Sequence, residues 1–117
     1  MRVGGSPARP RVPSMADMST IVAFSVAPLG TGESVAPAVA RAVRVVRESG
    51  LPNETSAMFT SVEGEWDEVM DVVKRAVQAA GEGASRVSLT LKADVREGVT
   101  DGLRSKVEAV ERELGDA

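Results

Sequence analysis

The sequence contains no cysteine and no histidine. The first absence excludes disulfides and thiolate metal sites. The second removes the commonest metal ligand and the side chain most often used as a general base. Catalysis of the Ser-His-Asp or Cys-His kind is therefore impossible within one chain. Tyrosine is also missing, and aromatic residues make up only 3% of the chain. A core must be assembled from Val, Leu and Ala, relying on burial at about 25 cal/mol per Å² of apolar surface rather than on large rings. The formal net charge is −3, with no basic cluster beyond the N-terminal segment, so nucleic acid is not an expected partner. No apolar run approaches the roughly 20 residues that span a bilayer. No secretory signal is apparent, so a cytoplasmic location is expected.

What is present fits one compact domain: 117 residues, 43% hydrophobic and 26% charged. Residues 1–18 differ from the rest. Arg2, Arg9 and Arg11 alternate with Gly4, Gly5, Pro7, Pro10 and Pro13, and apolar content is too low for packing. A disordered tail is expected here, with the domain occupying residues 19–117. Met15 and Met18 are alternative starts.

The short β-branched run Thr20 to Ala27 reads as a strand that Pro28 stops, with Val22, Phe24 and Val26 on one face and Ile21, Ala23, Ser25 and Ala27 on the other. A helix is expected from Ser34, as N-cap, to Ser49. Pro37 falls in its first turn, Val35, Val39, Ala42, Val43 and Val46 form its apolar stripe, and Gly50 closes it in a left-handed conformation. Asn53 to Thr60 and Ser61 to Gly64 read as a hairpin. A second helix runs from Glu65 or Trp66 to Ala80, with Asp67, Glu68 and Asp71 favouring its dipole. Arg86 to Val95 alternates cleanly, predicting one buried face (Val87, Leu89, Leu91, Ala93, Val95) and one polar face (Arg86, Ser88, Thr90, Lys92, Asp94). A last helix is expected over Thr100 to Leu114, with Leu103, Val107, Val110 and Leu114 on one side. The order predicts an α+β fold: a ferredoxin-like βαββαβ sandwich with an extra C-terminal helix.

In such a sandwich one sheet face lies open. The polar residues of the last strand occupy it, joined by Ser25, Ile21, Ala23 and some of Glu54, Ser56, Met58 and Thr60. A face mixing hydroxyls with apolar side chains meets another subunit or edges a small-molecule pocket. The loop Pro28-Leu29-Gly30-Thr31-Gly32-Glu33-Ser34 joins the first strand to the first helix. It lacks the Gly-Lys-Ser/Thr ending of a phosphate loop. No carboxylate pair has a spacing that demands acid–base work, and Lys92 beside Asp94 is not desolvated as a nucleophilic lysine must be. Catalytic and metal residues are therefore not assigned, and an enzyme using Glu33, Glu54, Glu63, Asp94 or Lys92 is the least favoured reading.

That loop resembles the first strand–loop–helix of the thiamine-binding YkoF-like proteins. Met58-Phe59-Thr60-Ser61-Val62-Glu63-Gly64-Glu65-Trp66-Asp67-Glu68-Val69-Met70 is similar to their hairpin and second-helix entrance. Lys92-Ala93-Asp94-Val95-Arg96 resembles the end of their last strand, and Lys106-Val107-Glu108-Ala109-Val110-Glu111 the closing helix. Phe59 and Ala57 depart from the pattern, where glycine and proline are usual. The resemblance implies a ferredoxin-like fold, a homodimer or homotetramer built through sheet contacts, and non-catalytic binding of thiamine or its hydroxymethylpyrimidine part by a carrier, buffer or sensor. Thiamine would be a ligand rather than a cofactor. The implied ligand-binding residues are Thr31, Ser34, Ser56 and Thr60 for the pyrimidine edge, Glu63 or Asp94 for the amino group or the cation, and Met58, with Phe59 beside it, for the ring. Each also has a plainer reading. Ser34 suits an N-cap, Thr60 a strand, Glu63 a hairpin, Met58 a core, and Asp94 a surface ion pair. A structural or regulatory homo-oligomer without a ligand is the alternative function.

Overall fold

The computed structural model describes residues 18–30, 35–98 and 102–115. The tail expected over residues 1–18 lies outside the described residues except for Met18, as does the loop segment 31–34 with Thr31 and Ser34. The elements run β1 (Met18–Leu29), α1 (Ala36–Glu48), β2 (Asn53–Thr55), β3 (Thr60–Glu65), α2 (Trp66–Ala80), β4 (Arg86–Glu97) and α3 (Gly102–Gly115). The strands form one four-stranded sheet in the order β2-β3-β1-β4, and every pairing is antiparallel. With α1 and α2 packed on one face, this is the ferredoxin-like arrangement with an added C-terminal helix.

Strand β1 carries the core across the sheet. Val22, Phe24 and Val26 are buried against Ala38, Ala42 and Val46 of α1, Val69, Val72, Val73, Ala76 and Ala80 of α2, and Val62 of β3. The small side chains let the helices approach closely. A Cβ at Gly64 would lie 3.3 Å from Val69 and 3.4 Å from Leu51. Arg41 ties the two helices together, donating from Nε to the carbonyl of Ala79 at 2.8 Å, where its charge also suits the C-terminus of α2.

Four expectations need correction. Pro28 does not end β1, which continues to Leu29 opposite Arg86. Strand β3 accompanies β1 only as far as the Phe24–Thr60 pair. Beyond that point β1 has β4 as its one described neighbour, so a proline nitrogen can face the unpaired side without breaking a ladder. The hairpin bends earlier than expected, with β2 ending at Thr55 and the turn spanning residues 56–59. Helix α1 starts at Ala36, with Val35 at its N-cap and no side-chain cap bond. The apolar face of β4 is only partly covered: Leu89 remains 42% exposed, because β4 is an edge strand and the helices sit over the sheet centre. Gly50 behaves as expected, with φ of 80° after the last turn of α1.

Candidate small-molecule site

Where β3 stops short, the hairpin turn and the outer half of β1 leave a gap beneath α1. A cavity of about 150 Å³ opens there. Phe24, Ser25 and Val26 form its floor, Val39, Ala42 and Val43 its helical wall, and Thr55 to Thr60 its third side. None of these described lining residues is charged. The surface is apolar with hydroxyls at intervals, which suits a flat, uncharged heteroaromatic group with hydrogen-bonding edges.

The turn is locked by its own polar groups. The backbone N–H of Ser56 donates to the carbonyl of Phe59 at 2.8 Å. The Ser56 hydroxyl donates to the same carbonyl at 3.0 Å and accepts the Phe59 N–H at 3.3 Å. This rigid turn holds Met58 at 74% and Phe59 at 38% exposure beside the cavity mouth. Thr60 pairs with Phe24, so it lies on the helix-covered face rather than the open one, and it is buried.

The expected ligand residues therefore fall into two groups. Ser56, Met58 and Thr60 meet at the cavity. Thr31 and Ser34 lie outside the described residues, in the segment between Gly30 at the end of β1 and the start of α1. Glu63 and Asp94 flank Ile21 on the open sheet face, towards the beginning of β1. Asp94 is thus remote from the β1–α1 loop, because β4 runs antiparallel to β1. The β4 residues near that loop are Arg86 to Thr90, opposite Leu29 to Ser25.

Both of those carboxylates engage α3. Glu63 is buried, and its two oxygens accept the backbone N–H groups of Gly102 and Leu103. This satisfies two of the donors that a helix start leaves open. Asp94 accepts a hydrogen bond from Lys106 and lies 3.8 Å from Arg96. The hydrogen bond from Lys106, followed by the charges of Lys106, Arg96 and Lys92, holds the Asp94 carboxyl below the usual carboxylate range. No cluster of carboxylates able to hold a metal ion occurs among the described residues, nor is any described helix long and apolar enough to cross a membrane.

Sequence reasoning missed that Val39 and Val43 leave the core and line the cavity. Both sit on the predicted apolar stripe of α1, and periodicity cannot distinguish a side chain packed on a strand from one packed over a gap. The signal that would have found them is the unequal length of β1 and β3, which depends on where the hairpin bends.

The fold is a ferredoxin-like α+β domain with an uncharged cavity, a candidate small-molecule site, at the end of its sheet. The pattern of the thiamine-binding protein family matches residues 22–111, and the chain belongs to that family. It is 59% identical over 98 residues to a UPF0045 protein of Mycobacterium bovis, covering 83% of this chain and 96% of the relative. Among solved structures, a hypothetical protein of Methanocaldococcus jannaschii superposes with a TM-score of 0.72 at 32% identity, covering 80% of this chain and 96% of that one. A candidate thiamine biosynthesis or salvage protein of Thermotoga maritima superposes with a TM-score of 0.64 at 26% identity, covering 76% and 98% respectively.

Proposed function

We propose that this protein binds thiamine or its hydroxymethylpyrimidine moiety without transforming it, as a cytoplasmic carrier, buffer or sensor. The observation that carries the reading is the uncharged, hydroxyl-bearing cavity between α1 and the hairpin, in a chain whose family is thiamine-binding. The aminopyrimidine ring enters the cavity. Thr60 offers a hydroxyl to its edge, and Met58 and Phe59 cover its face. The cationic thiazolium stays towards solvent, since burying it among uncharged groups would carry a large desolvation cost. Glu63 and Asp94 contribute indirectly, by fastening α3.

Calorimetric titration of the purified protein with thiamine and with hydroxymethylpyrimidine tests the proposal. Saturable heat, with a rise in melting temperature, is expected for at least one of them. Absence of both signals at millimolar ligand overturns it.

The second reading is a structural or regulatory homodimer or homotetramer joined through the open sheet face. Its support is the row of half-buried Ile21, Ala23 and Ser25 beside the exposed hydroxyls of Ser88 and Thr90. Under this reading a Ser88→Arg, Thr90→Arg double variant shows a smaller mass by light scattering than the parent chain. Unchanged assembly removes that face as the contact.

A further inference from the structure

Helix α3 is fastened to the sheet by its first two turns, through Glu63 and through the Asp94–Lys106 pair. Beyond them it carries an apolar seam that its own chain does not cover among the described residues. Val107, Val110 and Leu114 are 51%, 59% and 65% exposed. With Leu103 they recur at intervals of four, three and four residues, the a/d spacing of a two-helix coil. The seam continues into a groove of about 330 Å³ lined by Pro52, Asn53 and Glu54 on one side and by Leu103, Arg104, Val107 and Glu108 on the other.

The charges beside the seam are sorted by sign along the helix. The flanking e and g positions are Arg104 and Lys106 in the first half, and Glu111 and Glu113 in the second. We propose that α3 pairs with α3 of a second copy of this chain, antiparallel, across this seam. In that orientation Arg104 meets the partner's Glu111, a contact that the two-fold axis repeats, while Lys106 stays with Asp94 of its own chain. Leu103 lies level with the partner's Leu114, and Val107 with the partner's Val110. A parallel pair lacks such a contact, because only Lys106 and Glu111 come within g-to-e reach and Lys106 is already held by Asp94. Arg104 is otherwise engaged by Glu108 at 3.7 Å, an exposed pair that costs little to exchange. A free peptide of two heptads would be too short to pair stably in water. Here the fold already holds the helix in place, so less ordering entropy is lost on association. The N-terminal segment is a poorer occupant, since residues 1–17 carry three arginines and a single acidic side chain, Asp17.

Because the chain has no cysteine, site-directed cross-linking of the full-length protein has no background. The L103C and L114C variants are oxidised separately and as an equal mixture, after circular dichroism confirms that each melts like the parent. The antiparallel pair predicts a disulfide-linked heterodimer in the mixture, several-fold above either variant alone. Residues 103 and 103 of the two copies would lie about 16 Å apart along the axis, against the roughly 7 Å Cα separation that a disulfide allows. Efficient self-linking of L103C indicates a parallel pair and overturns the proposal. Absence of any cross-link, as when the N-terminal segment covers the seam, overturns it too. The R104E variant should weaken the mixed cross-link several-fold, and adding E111R to the same chain should restore it.

Discussion

The Glu63 carboxylate on β3 accepts the backbone N–H of Gly102, the first residue of α3, across a separation of 39 positions in the chain. The same contact explains the glycine. A Cβ at position 102 would lie 2.7 Å from the Glu63 Oε2 and 2.9 Å from Ile21. The Glu63→Ala variant should lose about 1–3 kcal/mol of stability, since the amides of Gly102 and Leu103 lose their partner where water reaches them poorly. Hydrogen exchange should accelerate chiefly in α3. Uniform acceleration across the sheet, or an unchanged stability, would contradict the assigned role.

Thr20 lies fully buried on the core face of β1, and its hydroxyl has no hydrogen-bond partner among the described residues. Valine has nearly the same shape and no polar atom to desolvate. Thr20→Val should therefore raise stability by about 1 kcal/mol, read as a higher urea midpoint at constant m. A lower midpoint would mean that the hydroxyl is satisfied.

The pair formed by Asp94 and Lys106 makes stability depend on pH. The folded-state pKa of Asp94 is lowered, so its contribution is present above the ordinary aspartate value and is lost as pH falls through the lower folded value. The Asp94→Asn variant should be less stable than the parent near neutrality, and the two should converge in acid. The difference should be modest and should shrink with salt, because Asp94 and Lys106 are both partly exposed. Denaturation midpoints of both proteins across this range check the sign.

Ligand affinity should respond to the hairpin and not to the clamp on α3. Thr60→Val, which keeps the shape and removes the hydroxyl, and Met58→Ala, which uncovers the cavity mouth, should each weaken binding of thiamine or hydroxymethylpyrimidine by about five- to tenfold, equivalent to about 1 kcal/mol. Glu63→Ala should leave it within about twofold of the parent. Calorimetry on the three variants is sufficient, and the reverse order would move the site to the open sheet face.

The fold could be read from the sequence because hydrophobic period and turn chemistry agree along most of the chain. Val22, Phe24 and Val26 alternate as a strand must, and Gly50 adopts the positive φ that its place after α1 requires. The candidate site was legible only in part. Ser56, Met58 and Thr60 were named from the resemblance, but sequence order does not reveal that the hairpin turns at Ser56 rather than near Thr60. That shift of a few residues determines the face on which Thr60 lies. The engagement of Glu63 and Asp94 by α3 was also hidden, since it joins side chains to a helix start far along the chain. Pro28 misled for a physical reason: it breaks a strand with two neighbours and is tolerated in one that has lost a neighbour.

That proline also bears on the edge that the short β3 leaves beside β1. An unaccompanied stretch of strand is ordinarily an invitation to another polypeptide, which can add itself by main-chain hydrogen bonds. A residue with no N–H interrupts that ladder within a stretch of only five residues, Ser25 to Leu29. Among the described residues, the opening therefore offers an extended peptide no continuous edge. Pro28 thereby removes a donor from that edge, a device that disfavours edge-to-edge pairing.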